Sequence, residues 1–325
     1  MMSDMDYTYA VARIRAMEMS LFSSATIEQL MAMKTYENCL QFLMEKGWGD
    51  SDTPLESEAI LTKESEKTWN VIRELLKDEQ DVIAIFSYQK LFHNLKSAIK
   101  EIVLSKPCGT IYFDDCSIDG ATMSKIIQEK NFDKLPDFMS ACAKEAYETF
   151  LHTRDGQLCD SIVDQASLVA IYEAGKRAQD VVIRDYAESI VAVANIKIAV
   201  RSQKTAKSLD FMKRSMAACD SLNVERLMTA ALSSMEAICD YLSGTKYAEG
   251  AEALKQSPSA FECWCDNQLM ETMKPQKYNS FSIGPLVAYV LARQNEIKTV
   301  RMILTGKLNE LPEQQIRERI REMYV

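Results

Sequence analysis

The segment Asp114–Asp119 carries three carboxylates within six residues, a pattern that could bind metal ions. Its spacing fits the aspartate-rich motif with which some all-α enzymes hold Mg²⁺ and a diphosphate, since neighbouring carboxylates can bridge hard cations. Such an enzyme needs a second acidic motif on a facing helix, and the nearest, Asp160–Asp164, lacks the doubled aspartate. The simpler interpretation is a solvated loop in which Ser117 or Asp119 caps the following helix.

The same loop partly imitates a calcium-binding loop through Asp115, Ser117, Asp119 and Gly120. A calcium loop ends with a bidentate acid at its twelfth position, which here is Ile126. The sequence therefore argues against calcium.

Nucleophilic and general-base chemistry also lacks a recognisable motif. The two histidines, His93 and His152, do not lie beside a serine or cysteine in a catalytic pattern, and His93 next to Phe92 suits the edge of a core. The nine cysteines include no CxxC pair, and Cys263 and Cys265 have few potential co-ligands, so reduced thiols in a cytoplasm are expected. No Walker A or GxGxxG pattern occurs. The sequence predicts no catalytic residue, metal, cofactor or small-molecule substrate.

Charge and hydropathy limit the partners. A net charge of −9 argues against nucleic acid and against anionic lipid surfaces as partners. An acidic partner would require a basic patch that only the fold could assemble. The apolar stretch Ile283–Ala292 is far too short to span a bilayer, so a link to a membrane would run through a partner.

The composition predicts long helices. Only 10 glycines and 7 prolines occur in 325 residues, so helix breakers are rare. Thr26 and Gln29 suggest a capping box for a short second helix, and Thr35 suggests the cap of a third.

Further along the chain, the apolar spacing predicts one helix over Gln80–Leu104, ended by Pro107. Thr110–Phe113 reads as a short extended piece. Ser161–Ser202 contains no proline and predicts one or two very long helices, whereas Gly244–Ser259 reads as loop. In the last segment, Pro285 suits a helix N1 position and Pro312 the start of the final helix.

A related heptapeptide occurs three times, at Asn94–Lys100, Asn195–Arg201 and, more loosely, Asn295–Arg301. In each copy an asparagine precedes a base by six residues, and the spacing is about a third of the chain. Chance is the alternative, since isoleucine, lysine and alanine are common in helices. The pattern predicts three similar helical units, 1–110, 111–220 and 221–325, arranged either around an axis or as an arc.

Segments at both ends and in the repeats resemble the C subunit of prokaryotic V/A-type ATPases, a relative of the eukaryotic d subunit. The segments that carry the resemblance are Tyr9–Glu18, Asn94–Lys96, Asn195–Lys197, Gly284–Tyr289, Asn295–Lys307, Leu311–Glu313, Ile316–Glu318 and Tyr324–Val325.

The resemblance implies an all-α funnel of three similar helical units with pseudo-threefold symmetry, in which the N-terminal helices close onto the C-terminal unit. Its mouth would accept the central stalk, and its other face would sit on the proteolipid ring at the cytoplasmic side of the membrane. Such a chain is a non-catalytic connector that supports ATP-linked proton or sodium transport. A helical-repeat scaffold for another partner, or the Mg²⁺-dependent diphosphate enzyme, remains the alternative.

Five bases are candidates for contact with partners. The three bases at or near the end of the repeated motif would surround the opening and face acidic or helix C-terminal groups of the stalk, and two bases near the N-terminus would lie on the rim. Ordinary surface charge near helix C-termini is the competing explanation. The candidates are Arg13, Arg15, Lys100, Arg201 and Arg301.

Overall fold

The computed structural model describes residues 7–76, 80–106, 112–113 and 116–325. All regular elements in these ranges are helical, which confirms the all-α prediction. Three are short 3₁₀ helices, at Gln80–Ser87, Phe132–Lys134 and Lys274–Tyr278. The α-helices are α1 (Tyr7–Glu18), α2 (Ser24–Met31), α3 (Tyr36–Glu45), α4 (Ser57–Leu76), α5 (Tyr88–Leu104), α6 (Gly120–Gln128), α7 (Asp137–Thr153), α8 (Gly156–Arg177), α9 (Val181–Lys204), α10 (Leu209–Ser215), α11 (Val224–Ser233), α12 (Met235–Ser243), α13 (Ala248–Gln256), α14 (Pro258–Met273), α15 (Gly284–Leu308) and α16 (Glu313–Arg317).

The helices form two compact units. Unit 1 combines the described residues up to Gln80 with Glu249–Val325, so it joins the two ends of the chain. Unit 2 is the continuous stretch Asp81–Ala248. The division at residues 110 and 220 into three repeated units stays a prediction.

Helix caps near the N-terminus are partly as predicted. Thr35 caps α3 by accepting a hydrogen bond from the Asn38 N–H at 3.2 Å, as expected. The capping box at Thr26 is wrong, because α2 begins earlier. Ser23 is the N-cap, has an extended backbone, and accepts from the Thr26 N–H at 3.3 Å. Serine is at least as good an N-cap as threonine, so Ser23 can take this position.

The single helix predicted over Gln80–Leu104 is divided in the structure. A 3₁₀ helix reaches Ser87, and only then does α5 begin. The Ser87 hydroxyl donates to the Ala84 carbonyl at 2.8 Å, a local bond that competes with the α-helical pattern. Helix α5 ends at Leu104 and is followed by the C-cap Ser105, whose φ of 51° is left-handed. Pro107, the predicted end, and Thr110, the start of the predicted extended piece, lie outside the described residues.

The loop predicted over Gly244–Ser259 is wrong for most of its length. Helix α13 fills Ala248–Gln256, and α14 begins at Pro258 after the N-cap Ser257. Alanine, glutamate and leucine in this stretch favour a helix, and they outweigh one glycine. Gly250 lies against Trp264, since a Cβ at this position would be 2.6 Å from the indole Cζ3. Close helix packing therefore explains this glycine.

Two long helices occupy Ser161–Ser202, as predicted. Helices α8 and α9 have 22 and 24 residues and meet at Gly175, where an added Cβ would lie 2.3 Å from Ala187 Cβ. The chain leaves α8 at Ala178, and Asp180 caps α9 by accepting from the Val182 N–H at 2.8 Å. The two helices can approach closely because the residue at their contact has no side chain.

Each unit has its own apolar core. In unit 2 the core is built around Phe92 and Leu95 of α5 and reaches α6, α7 and α8. In unit 1, α2, α3 and α4 pack against the apolar face of α15, including Val300 and Ile303. These cores fix the helices that carry the candidate residues.

Candidate interaction site

The asparagine of the first repeated motif holds a distant stretch of backbone. Asn94 is fully buried on α5. Its Nδ2 donates to the Phe113 carbonyl at 2.8 Å, and its Oδ1 accepts from the Phe113 N–H at 2.8 Å. One side chain therefore satisfies both polar backbone groups of a residue 19 positions further along the chain.

Asn195 of the second motif does the same on α9. Also fully buried, it donates to the Ala217 carbonyl at 2.7 Å and accepts from the Ala217 N–H at 3.1 Å. Glu188, two turns earlier on α9, accepts from the N–H groups of Asp220 and Ser221 at 3.0 and 2.8 Å. The segment after α10 is thus held on α9 at two positions, Asn195 and Glu188.

Asn295 of the third motif makes only one of the two backbone hydrogen bonds. It is buried on α15 and donates to the Glu322 carbonyl at 2.8 Å. The Glu322 N–H donates instead to Asn267 on α14, at 3.0 Å. Each copy of the motif thus places a buried asparagine where a later segment returns to the helix. We call these three contacts the asparagine clamps.

The bases that end two of the three motifs are paired within the chain. Lys100 donates to Asp160 of α8 at 2.8 Å. Arg301 makes two bonds to Glu58 of α4, at 3.1 and 3.0 Å. Arg201 differs, because it is exposed on α9 and no carboxylate of the described residues lies within ion-pair distance. Nothing in the heptapeptide itself distinguishes Arg201 in this way, since the partners of the other two bases lie on distant helices.

The two N-terminal candidates also have intrachain partners. Arg13 makes two bonds of 3.2 Å to Glu74 of α4. Arg15 pairs with Glu18 at 2.8 Å, and its second terminal nitrogen donates to the carbonyls of Gln276 and Asn279 at 2.6 and 2.7 Å. Arg15 therefore attaches α1 to the turn that precedes α15.

That turn exposes two aromatic rings. Tyr278 is 89% exposed and Phe281 is 62% exposed. The turn is ordered by its own polar groups, since Asn279 accepts from the Phe281 N–H at 3.2 Å and donates to Ser282 at 2.7 Å. Exposed aromatic residues on an ordered turn are typical of protein interfaces.

The acidic residues considered for metal binding have structural roles where they are described. Asp119 caps α6 by accepting from the Thr122 N–H at 2.8 Å, as the simpler interpretation predicted. Asp160 and Asp164 of the second motif accept from Lys100 and Lys96. Asp114 and Asp115 lie outside the described residues. Among the residues that are described, no three metal-ligating side chains come together.

His93 and His152 lie in helices α5 and α7. The ring of His93 contacts Phe113 edge-on, with 5.1 Å between ring centroids. His152 is exposed in the last turn of α7.

A buried ion network in unit 1 was missed by the sequence interpretation. Arg293 of α15 pairs with Glu64 of α4 and with Glu296 one turn further on, and all three side chains are at most 6% exposed. The guanidinium also lies 5.2 Å from the Trp48 ring. The signal in the sequence is their position, since Arg293 and Glu296 follow the apolar stretch Ile283–Ala292 directly and are three residues apart, on one face of the helix.

Both carboxylates of this network also hold loop backbone. Glu64 accepts from the Gly49 N–H at 2.9 Å, and Glu296 accepts from the Phe22 N–H. Burial raises the pKa of Glu296, and the neighbouring Arg293 opposes that rise. The network joins α4, α15 and two loops into one rigid assembly.

None of the helices in the described ranges combines the length and the apolar character that crossing a bilayer requires.

Comparison with known proteins gives matches along almost the whole chain. The family described as ATP synthase (C/AC39) subunit matches residues 10–319. The C subunit of the V-type sodium ATPase of Enterococcus hirae is 22% identical over 98% of this chain and 99% of its own length. The C subunit of the A-type ATP synthase of Methanocaldococcus jannaschii is 22% identical, over 96% and 85% of the two chains. The C subunit of the V-type ATP synthase of Thermus thermophilus is 19% identical, over 97% and 98%.

Proposed function

Because the chain belongs to the ATP synthase (C/AC39) subunit family, we propose that it is the non-catalytic connector between the central stalk and the proteolipid ring of a rotary V/A-type ATPase. In this role it supports ATP-linked transport of protons or sodium ions. It would lie at the cytoplasmic face of the membrane and be held there by the complex.

The observation that carries this proposal is the extent of the similarity. The chain matches relatives named as C subunits from one end to the other, with 98% of its length and 99% of the Enterococcus hirae protein aligned. A shared domain inside an unrelated protein would align over only part of one chain.

The internal structure suits a part that transmits torque. A connector must resist bending and twisting, and rigidity comes from long helices tied together by buried polar contacts. Helices α8, α9 and α15 have 22, 24 and 25 residues. The asparagine clamps and the Arg293 network fix the segments between such helices.

We further propose that the chain forms a funnel of three similar units with pseudo-threefold symmetry. The asparagine clamps support this arrangement, because Asn94, Asn195 and Asn295 play related roles about one third of the chain apart. The proposed units are 1–110, 111–220 and 221–325.

The five candidate bases are proposed to face the partners of the connector. Arg13, Arg15, Lys100 and Arg301 are paired with acids of this chain, so they would contribute as parts of neutral ion pairs. Arg201 is the exception, since it would bring an uncompensated positive charge to the contact.

The proposal is tested by removing the chain from its own rotary complex. Membranes that contain the proteolipid ring but lack this chain should fail to retain the stalk and the ATP-hydrolysing sector. ATP hydrolysis by the released sector should continue while ATP-driven ion uptake into vesicles stops, and adding the purified chain back should restore uptake.

Ion uptake that persists without the chain would contradict a connecting role. If the purified chain captured some other protein and none of the stalk or ring subunits, the helical-scaffold interpretation would replace it. Mg²⁺-dependent release of pyrophosphate from prenyl diphosphates, lost in Asp115→Ala, would instead support an enzyme.

A further inference from the structure

The three repeated bases differ in one respect that suggests a contact outside the chain. Lys100 and Arg301 each meet a carboxylate of a neighbouring helix, Asp160 and Glu58 respectively. Arg201 occupies the same place in its motif, yet no described acid of the chain pairs with it. An acid from a partner would complete the third pair.

Arg201 is the first member of a larger basic group. The stretch 201–214 contains five cations and one acid, Asp210, in a chain whose net charge is −9. Four of these cations are exposed, and no acid of the described part of the chain forms a salt bridge with any of the five. We call this group the α9–α10 basic patch; its members are Arg201, Lys204, Lys207, Lys213 and Arg214.

The fold brings these bases to one end of unit 2. Gln165 of α8 donates to the carbonyls of Lys213 and Met216 at 3.0 and 2.9 Å, which holds the end of α10 against α8. After α10, Ala217 is hydrogen-bonded to Asn195 of α9. Asn195 lies less than two helical turns before Arg201 on the same helix. The bases of α10 therefore lie near the last turns of α9.

Three acids of the neighbouring segments are already engaged. Asp160 and Asp164 of α8 bind Lys100 and Lys96, and Asp220 binds Lys176. Within the patch, Lys207 donates to the neutral Gln157 at 2.8 Å. The patch therefore keeps most of its positive charge.

Helix dipoles do not neutralise the patch. The C-termini of α9 and α10 lie within it, and each helix end carries roughly half a negative charge. Two such ends supply about one unit of negative charge, which is much less than the charge of the five cations. The remaining positive charge is available to an anionic partner.

We propose that the α9–α10 basic patch binds an acidic segment of a protein partner, and that a carboxylate of this partner pairs with Arg201 as Asp160 pairs with Lys100. This proposal rests on the proposed function, and the partner would be another subunit of the rotary complex. A protein is favoured over a polyanionic lipid surface because the rest of the chain is acidic and repels extended anions. The equivalent bases Lys100 and Arg301 are also satisfied by carboxylates.

Charge reversal tests the patch. The variant Arg201→Glu/Lys204→Glu changes two exposed cations that form no salt bridge with described acids, so it should fold, with a melting temperature only a few degrees lower because two acids then lie at the C-terminus of α9. The control Lys125→Glu/Lys144→Glu makes the same change of charge at two other exposed lysines of unit 2. Affinity for the purified stalk subunits is measured by biolayer interferometry at low and high salt.

The patch variant should bind a stalk subunit about tenfold more weakly than the wild type or worse, while the control stays within about twofold. Wild-type affinity should fall as salt rises, and the variant should lose part of that dependence. Equal affinities of the patch variant and the control would overturn the patch proposal while leaving the connector intact.

Two other outcomes are distinguishable. If the wild-type chain binds none of the stalk subunits, the proposed function fails, and the patch proposal fails with it. A parallel measurement uses vesicles of phosphatidylcholine with phosphatidylglycerol. Vesicle binding that is lost in Arg201→Glu/Lys204→Glu, with stalk binding unchanged, would replace the protein partner by a lipid headgroup.

Discussion

Asn195 donates a hydrogen bond to Ala217 and accepts one from the same residue, with distances of 2.7 and 3.1 Å. The two bonds close an excursion of 22 residues that leaves α9, forms α10 and returns. Asn94 and Phe113 are related in the same way after α5. A carboxamide suits this task because it carries one acceptor and two donors in a plane, matching the two polar groups of a peptide backbone.

Asn195→Ala should be strongly destabilising. The substitution leaves the buried N–H and carbonyl of Ala217 without partners, which costs roughly 2–4 kcal/mol of unfolding free energy. Urea denaturation followed by circular dichroism measures the loss. Asn195→Asp should be at least as destabilising at neutral pH, since a buried carboxylate oxygen would then face the Ala217 carbonyl oxygen.

The matched control is Asn309→Ala. Asn309 is exposed and donates to the Thr305 carbonyl at 2.8 Å, so water can replace it. A loss below about 1 kcal/mol is expected. If Asn195→Ala were as mild as this control, the clamp would not hold the returning segment.

Arg293→Met should destabilise unit 1. Removal of the guanidinium leaves the buried Glu64 and Glu296 without their shared cation, a loss of about 3–5 kcal/mol. Scanning calorimetry should show a large fall in the melting temperature. Arg301→Met removes an exposed ion pair with Glu58 and should cost less than about 1 kcal/mol. Similar losses in the two variants would show that the Arg293 network has no special structural role.

Gly175→Ala should push α8 away from α9. The new methyl group would lie 2.3 Å from Ala187 Cβ, and overpacking of this kind outweighs the better helix propensity of alanine, for a net loss of about 1–2 kcal/mol. Adding Ala187→Gly should restore stability despite introducing a glycine. Gly156→Ala, whose new Cβ has no neighbour nearer than 3.9 Å, serves as the control. A double variant less stable than Gly175→Ala alone would contradict the predicted contact.

We expect the chain to lose stability at alkaline pH because of the thiols of Cys142 on α7 and Cys159 on α8. Burial raises the pKa of Cys142 to about 12 and that of Cys159 to about 11, from a usual value of 9.0. The folded chain therefore holds these protons more tightly than the unfolded chain. Their contribution is fully present below pH 9 and is lost as the pH rises towards 11–12.

Melting temperatures measured from pH 8 to pH 10.5 check this expectation. Cys142→Ala/Cys159→Ala should lose less stability over this range than the wild type. Cys263→Ala, on α14 of unit 1, controls for the removal of a thiol. Identical slopes for the wild type and the double variant would show that these two thiols do not contribute.

Local signals in the sequence predicted much of the helical structure. The scarcity of glycine and proline indicated an all-α chain, and the uninterrupted stretch after Ser161 indicated α8 and α9. The sequence indicates Thr35 as a cap and Asp119 as one of two candidates for another, because capping depends on one side chain and its nearest neighbours. Such features need no knowledge of distant contacts.

The predictions were wrong or incomplete where contacts with residues distant in sequence determine the local structure. Gly250 suggests a loop from the sequence alone, but its missing side chain makes room for Trp264 on the next helix. The partners of the candidate bases could not be predicted from the sequence either, since Arg15 donates to the carbonyl of Gln276, 261 residues further along the chain. The motif around Asn195 was recognised, whereas its partner Ala217 could be found only from the fold.

The bonds from Arg15 to the carbonyls of Gln276 and Asn279 have a consequence for how the protein is made. Unit 2 is continuous in sequence and can fold as it leaves the ribosome, whereas α1 to α4 are synthesised first and find their partner helices α14 to α16 last. The apolar side chains of those early helices that pack on α15 stay uncovered until α15 has been synthesised. Nascent chains released before α15 would therefore expose them, and we expect a chaperone to bind the N-terminal helices until α15 emerges.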